Sequence, residues 1–170
     1  MLITTLIWLE NLPPFSSLRS SAYVYPIVLA LHVSAISLFG AMIVATDLRL
    51  LGWAFLDSSI SDLIHQLRRP KRLGFIVTAT FGFLLFACKA EEYYYNSFFR
   101  VKFLLFLLIA IHAVAFRRGV YSYPEIFDHS SKSPPHAKLA GSLSLLLWVG
   151  VLCAGRGIGY VAGRAGMHYH

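Results

Sequence analysis

Four long apolar stretches, each closed off by charged or turn-forming residues, constrain this chain more than any other feature. A helix needs about 20 mostly apolar residues to cross roughly 30 Å of hydrocarbon. The stretches at residues 24–46, 73–88, 99–116 and 137–155 meet or approach that length. Of the 170 residues, 57% are hydrophobic and only 14% charged, which leaves too little material for a separate soluble core. The expected fold is an all-α membrane protein built as a four-transmembrane-helix bundle over residues 24–156. An N-terminal interfacial segment, residues 1–23, precedes it, and a glycine-rich C-terminal tail, residues 157–170, follows.

The formal charge of +7 does not imply a nucleic-acid partner, because the basic residues sit at the ends of the apolar runs. There they serve topology and snorkelling. The two loops joining spans one to two and three to four hold, with their flanks, Arg49, Arg68, Arg69, Lys71, Arg72, Arg117, Arg118, Lys132 and Lys138. The opposite face mixes Arg19, Lys89, Arg100, Lys102, Arg156 and Arg164 with Glu10, Glu91 and Glu92. The positive-inside rule then places both loops in the cytoplasm and both termini in the periplasm.

Local signals refine the spans. Leu2, Ile3, Leu6, Ile7 and Leu9 share one helical face beside Trp8, which suits an interfacial helix. Tyr25-Pro26 opens the first span, and Gly52 is a plausible C-cap for its continuation through Asp47 and Arg49. Ser58 or Ser59 caps a second interfacial helix, whose apolar face is Ile60, Leu63, Ile64 and Leu67 and which Pro70 is expected to break. Cys88 and Cys153 have no metal or redox spacing, but a disulfide between them is conceivable because both close their spans on one membrane face. Gly155, Gly157 and Gly159 are no dinucleotide fingerprint, since no strand precedes them. There is also no nucleophile triad, phosphate loop or carboxylate pair, so a soluble-type enzyme is not expected.

Of seven histidines, only His32 and His112 lie deep in apolar spans. Intramembrane polar residues are costly and usually functional, and imidazole is a common haem ligand. Counted from the span starts, His32 lies roughly 13 Å and His112 roughly 16–20 Å deep at 1.5 Å per residue. Spans one and three run in the same direction and are diagonal in an up-down bundle, so the two rings are expected at similar depth around one iron. Ala35, Gly40, Ala79, Gly82 and Gly150 would leave room for a porphyrin. Arg156, Arg100 and Lys102 would pair with its propionates. His65 and His136 form a weaker second pair for another haem. His129 reads as a loop residue, and His168 and His170 as an exposed tail.

The leading expectation is a membrane protein with haem b, one and conceivably two, passing electrons in a respiratory or photosynthetic chain. Its partners would be the lipid bilayer, other membrane redox proteins or a quinone, within a homo- or hetero-oligomer. A cofactor-free accessory subunit of a larger membrane complex is the alternative. A small transporter or proton pathway lined by His32, Thr78 and Thr80 is the third.

A family resemblance adds to this. The chain carries Tyr25-Pro26, Leu31-His32, Gly40 and Asp47-Leu48-Arg49-Leu50-Leu51-Gly52. Phe99-Arg100-Val101-Lys102, Ser142-Leu143, Trp148 and Ala154-Gly155-Arg156 follow in order. Together they resemble a family of small, uncharacterised four-helix proteins of the bacterial inner membrane. That family is loosely similar to membrane cytochrome b-type bundles and to the copper-resistance D membrane domain. The resemblance implies a bacterial inner-membrane location and functional weight at His32 and Arg156.

Overall fold

The computed structural model describes residues 1–116 and 134–166, the side chains of residues 161–166 excepted. Among the described residues every regular element is a helix: α1 Leu2–Glu10, α2 Pro13–Ser20, α3 Val24–Leu51, α4 Ile60–Cys88, α5 Ala90–Tyr95, α6 Ser97–Phe116 and α7 Pro135–Gly166. Four of these, α3, α4, α6 and α7, are long and apolar enough to cross a membrane. Their outward faces are rich in exposed apolar side chains, among them Leu38, Phe103, Val114 and Leu146. A soluble protein rarely shows so much contiguous apolar surface, whereas a bilayer covers it at no cost. The chain therefore reads as a multi-pass membrane protein.

The helix ends follow from local chemistry. Gly52 adopts φ 75°, the left-handed region open to glycine, and closes α3 with hydrogen bonds from its own N–H to Arg49 and from Trp53 to Leu48. Ser59 starts α4, its hydroxyl accepting from the Asp62 N–H at 3.0 Å. Asn96 starts α6, its Oδ1 accepting from Phe98 at 3.0 Å and Phe99 at 3.3 Å.

One expectation fails here. Pro70 does not break the chain into an interfacial helix and a second span: α4 runs unbroken from Ile60 to Cys88 with Pro70 inside it. An interior proline costs about 3 kcal/mol in a helix. Tertiary packing offsets it on both sides. Before Pro70, Ile60 and Ile64 join Leu50, Ala137 and Ala140 in a buried cluster edged by Phe116. After it, Lys71 donates to Thr46 of α3. At 29 residues α4 is about 43 Å long, so its first turns project beyond a hydrocarbon layer. Likewise α7 does not stop near Gly155 but runs on to Gly166.

Close packing among the long helices follows the order α4–α3–α7–α6. Consecutive members run antiparallel. Gly82 faces His32 and Gly74 faces Phe39 and Met42, which sets α4 against α3. Gly141 faces Asp47 and Leu50, while Phe39 meets Trp148 edge-on, which sets α7 against α3. Gly157 lies on Phe98 and Gly150 on Leu105, which sets α6 against α7. Spans one and three, α3 and α6, are therefore alternate members of this order, as diagonal helices of an up-down bundle are. Both flank α7, and α4 and α6, the ends of the close-packing order, meet through side chains.

Helices α4 and α6 converge at the end capped by α1, α2 and α5. Phe86 of α4 stacks on Phe99 of α6 at 5.4 Å, with Tyr93 of α5 against both. Burial pushes the Tyr93 phenol above its ordinary pKa. Arg19 pairs with Glu10 and donates to the Cys88 carbonyl at 3.3 Å, and Glu10 accepts from the Glu91 N–H at 3.1 Å. These bonds tie α1 and α2 to the α4–α5 turn. Cys88 and Cys153 are both free thiols, one buried and one exposed, so the conceivable disulfide between them is absent.

Candidate functional site

Two clusters of buried polar groups lie along α3. The first is near the capped end, about 12 Å from the helix start at Val24. His32 presses on Gly82 of α4: a Cβ there would stand 3.0 Å from the ring's Cε1, so glycine makes the space that the imidazole fills. The ring lies against the Thr78 backbone, yet its Nδ1 is buried with no hydrogen-bond partner. The Thr78 hydroxyl is buried and unpartnered too. Lys102 of α6 is near enough for its charge to act on His32. Its Nζ reaches 3.8 Å from where a Gly155 Cβ would be and lies 5.8 Å from the Phe106 ring. Phe106 is one turn further along α6, so the ammonium lies between that ring and Gly155 of α7.

The second cluster is near the other end of α3. Thr46 and Asp47 are each only 2% exposed. The Ser144 hydroxyl of α7 donates to the Asp47 carboxylate, while Asp47 Oδ2 has no partner. Lys71 of α4 donates to the Thr46 hydroxyl, which donates in turn to the Met42 carbonyl at 3.0 Å, and the Lys71 charge acts on Asp47. Gly141 lets α7 approach closely enough to cover these groups: a Cβ there would meet the Asp47 carbonyl at 2.9 Å.

An aromatic layer separates the clusters. The Phe39 ring lies 5.4 Å from Trp148 and 6.1 Å from Phe75, joining α3, α7 and α4. Phe39 is about 10 Å along the helix from His32 and about 12 Å from Asp47, so it stands near the middle of the polar series.

His112 belongs elsewhere. It is 7% exposed, lies 4.8 Å from the Phe116 ring, and its Nε2 is hydrogen-bonded to the Ala140 carbonyl of α7 at 3.0 Å. Ala140 neighbours Gly141, so His112 is level with the Asp47 end of α3. His32 is fifteen residues before Asp47 on α3, which places the two imidazoles about 22 Å apart along the bundle. A shared iron needs both ring nitrogens within one coordination sphere. The small residues expected to admit a porphyrin are partly spent as well: His32 fills the space at Gly82, and Leu105 packs 3.2 Å from a Gly150 Cβ. A haem bridging His32 and His112 therefore does not fit these residues. The two positions should then be energetically independent. The stability losses of His32→Ala and His112→Ala are expected to add within about 0.5 kcal/mol in a double-mutant cycle. A strong departure from additivity would point to a shared ligand.

The expected propionate partners do not gather either. Arg100 donates to the Tyr94 carbonyl at 3.0 Å and lies over its ring, and Arg156 is exposed over the Tyr160 ring. Lys102 instead lies against Gly155 of α7. His65 and His136 are both exposed. Because their neighbours Ile64 and Ala137 share one cluster, His65 and His136 stand at a similar level on α4 and α7. Among the described residues no three His, Cys, Asp or Glu side chains converge as a metal site. Arg117, Arg118, His129, His168 and His170 lie outside the described residues.

Sequence reasoning missed the Asp47–Ser144–Lys71 group: from sequence, Asp47 and Arg49 read as end-of-span charges that either orient partners or only terminate the span. A signal was present. Asp47 shares a helix face with Leu50 and Leu51, at i+3 and i+4, whereas Arg49 points away from it.

Residues 20–161 match a family described as "Family of unknown function (DUF6644)". No curated protein and no solved structure matches the chain.

Proposed function

The chain belongs to the DUF6644 family, and we propose that it passes protons across a membrane along α3. The observation that carries this reading is the set of buried polar atoms without partners: His32 Nδ1, Thr78 Oγ1 and Asp47 Oδ2, on α3 and α4. Buried polar atoms almost always find hydrogen bonds, and within hydrocarbon the ionisable ones mark ion pathways and proton relays. His32, Thr78, Lys102, Asp47, Lys71 and Ser144 all exchange protons. Two lysines among them disfavour a metal cation, so a proton is the better cargo. The Phe39–Phe75–Trp148 layer is the barrier between two half-paths, and transfer requires water to pass it.

Proteoliposomes with an internal pH dye test this. The wild-type protein is expected to take up protons when a potential is imposed. The double variant Asp47→Asn/Lys71→Met is expected to fall to the level of protein-free vesicles, and Phe39→Ala to exceed the wild type. Wild-type vesicles no faster than empty ones would contradict the reading. A second reading, a cofactor-free accessory subunit, is favoured by α6, whose close packing among the long helices is mainly on α7 and which exposes Phe103, Leu107 and Val114. Stoichiometric co-purification with a larger complex, without proton flux, would favour it.

A further inference from the structure

We infer that the His32–Thr78–Lys102 cluster is a binding site for the anionic head of a membrane amphiphile, a carboxylate or a phosphate oxygen carried on an acyl chain. Three observations converge. Lys102 Nζ lies against Gly155, seven residues beyond Trp148 on α7, and His32 lies seven before Phe39, the contact of Trp148 on the antiparallel α3. Ammonium and imidazole therefore share one level, with no acidic group in hydrogen-bond reach of Lys102 among the described residues. A half-buried ammonium beside hydrocarbon calls for an opposite charge. Thr78 is nine-tenths buried, and its hydroxyl and His32 Nδ1 both lack partners, so two hydrogen-bonding groups stand ready beside that charge. An anionic oxygen there would accept from Lys102 and Thr78 in charge-assisted hydrogen bonds.

The route of entry selects the source. Among the described residues α4 and α6 are the ends of the close-packing order, and their seam is closed near α5 by the Phe86–Phe99 stack. This seam is not among the closely packed helix pairs, and its two helices present exposed Phe83, Val101 and Phe103. A free anion would have to leave water to reach this seam. The head of an acyl chain already in the bilayer arrives with its tail among apolar side chains.

This inference uses one of the two clusters of the proposed proton path, but its test needs no flux. The protein in phosphatidylcholine nanodiscs is photolabelled with a diazirine-bearing fatty acid, and the labelled residues are mapped. Labelling is expected on α4 and α6 around the cluster, competed by oleate but not by acetate or inorganic phosphate. Lys102→Met is expected to reduce it about tenfold and Thr78→Val several-fold, the scale of a lost charge-assisted bond. Lys102→Arg should retain it. Asp47→Asn/Lys71→Met, which stops the proposed flux, should leave labelling unchanged and so separates the two readings. Labelling indifferent to Lys102→Met and Thr78→Val, or competed by acetate or phosphate alone, would overturn the inference.

Discussion

Asp47→Ala is expected to lower the stability of the folded protein by about 3 kcal/mol. Removing one member of a buried charge group leaves the other uncompensated, and such losses run to about 3–5 kcal/mol. The lower figure applies because Lys71 keeps its bond to Thr46. Ser144 also loses the acceptor for its hydroxyl. The companion double variant, Asp47→Asn/Lys71→Met, removes both charges together and is expected to remain within about 1 kcal/mol of the wild type, since neutral replacements for a buried pair are often tolerated. Unfolding by SDS from mixed micelles reads both. Equal losses in the two variants would mean that Asp47 and Lys71 do not compensate one another.

Gly141→Leu is expected to cost about 3 kcal/mol or more, the upper part of the range for overpacking. Even a methyl group at this position would meet the Asp47 backbone carbonyl at 2.9 Å and the Leu50 side chain at 3.2 Å. A backbone atom cannot swing aside as a side-chain tip can. Relief comes only by separating α3 from α7, which also parts Ser144 from Asp47. Gly40, on the same helix as Asp47, is different: a methyl group there would have nothing within 4 Å. Gly40→Ala is therefore expected to be neutral or to stabilise by a few tenths to about 1 kcal/mol through helix propensity. A Gly141→Leu protein as stable as Gly40→Ala would show that the close α3–α7 approach is absent.

The contrast between those glycines shows where sequence reading stops. Span positions were legible because apolar length and composition are local properties, and so were the caps at Gly52 and Ser59. The fate of Pro70 was not, because its cost is set against partners on α3 and α7 that lie far away in sequence. Depth failed for a related reason. Counting residues from the start of each span assumes that helices begin in one plane. His112 is fifteen residues into α6 and His32 eight into α3, and the register is fixed by Phe98 on Gly157 and Leu105 on Gly150. No periodicity within one helix encodes that register. His32 itself was found from sequence because an imidazole amid apolar residues is conspicuous on its own. Lys102 was found too, but for an anion role at the interface, whereas its contact with Gly155 is set by how α6 and α7 meet.

A planar-bilayer recording across a pH gradient tests the proton path most directly. With purified wild-type protein in the bilayer, the zero-current potential should move by about 59 mV per pH unit, the value for a singly charged carrier in equilibrium. A zero-current potential that tracks potassium or chloride, or a membrane no more conductive than one without protein, would contradict it.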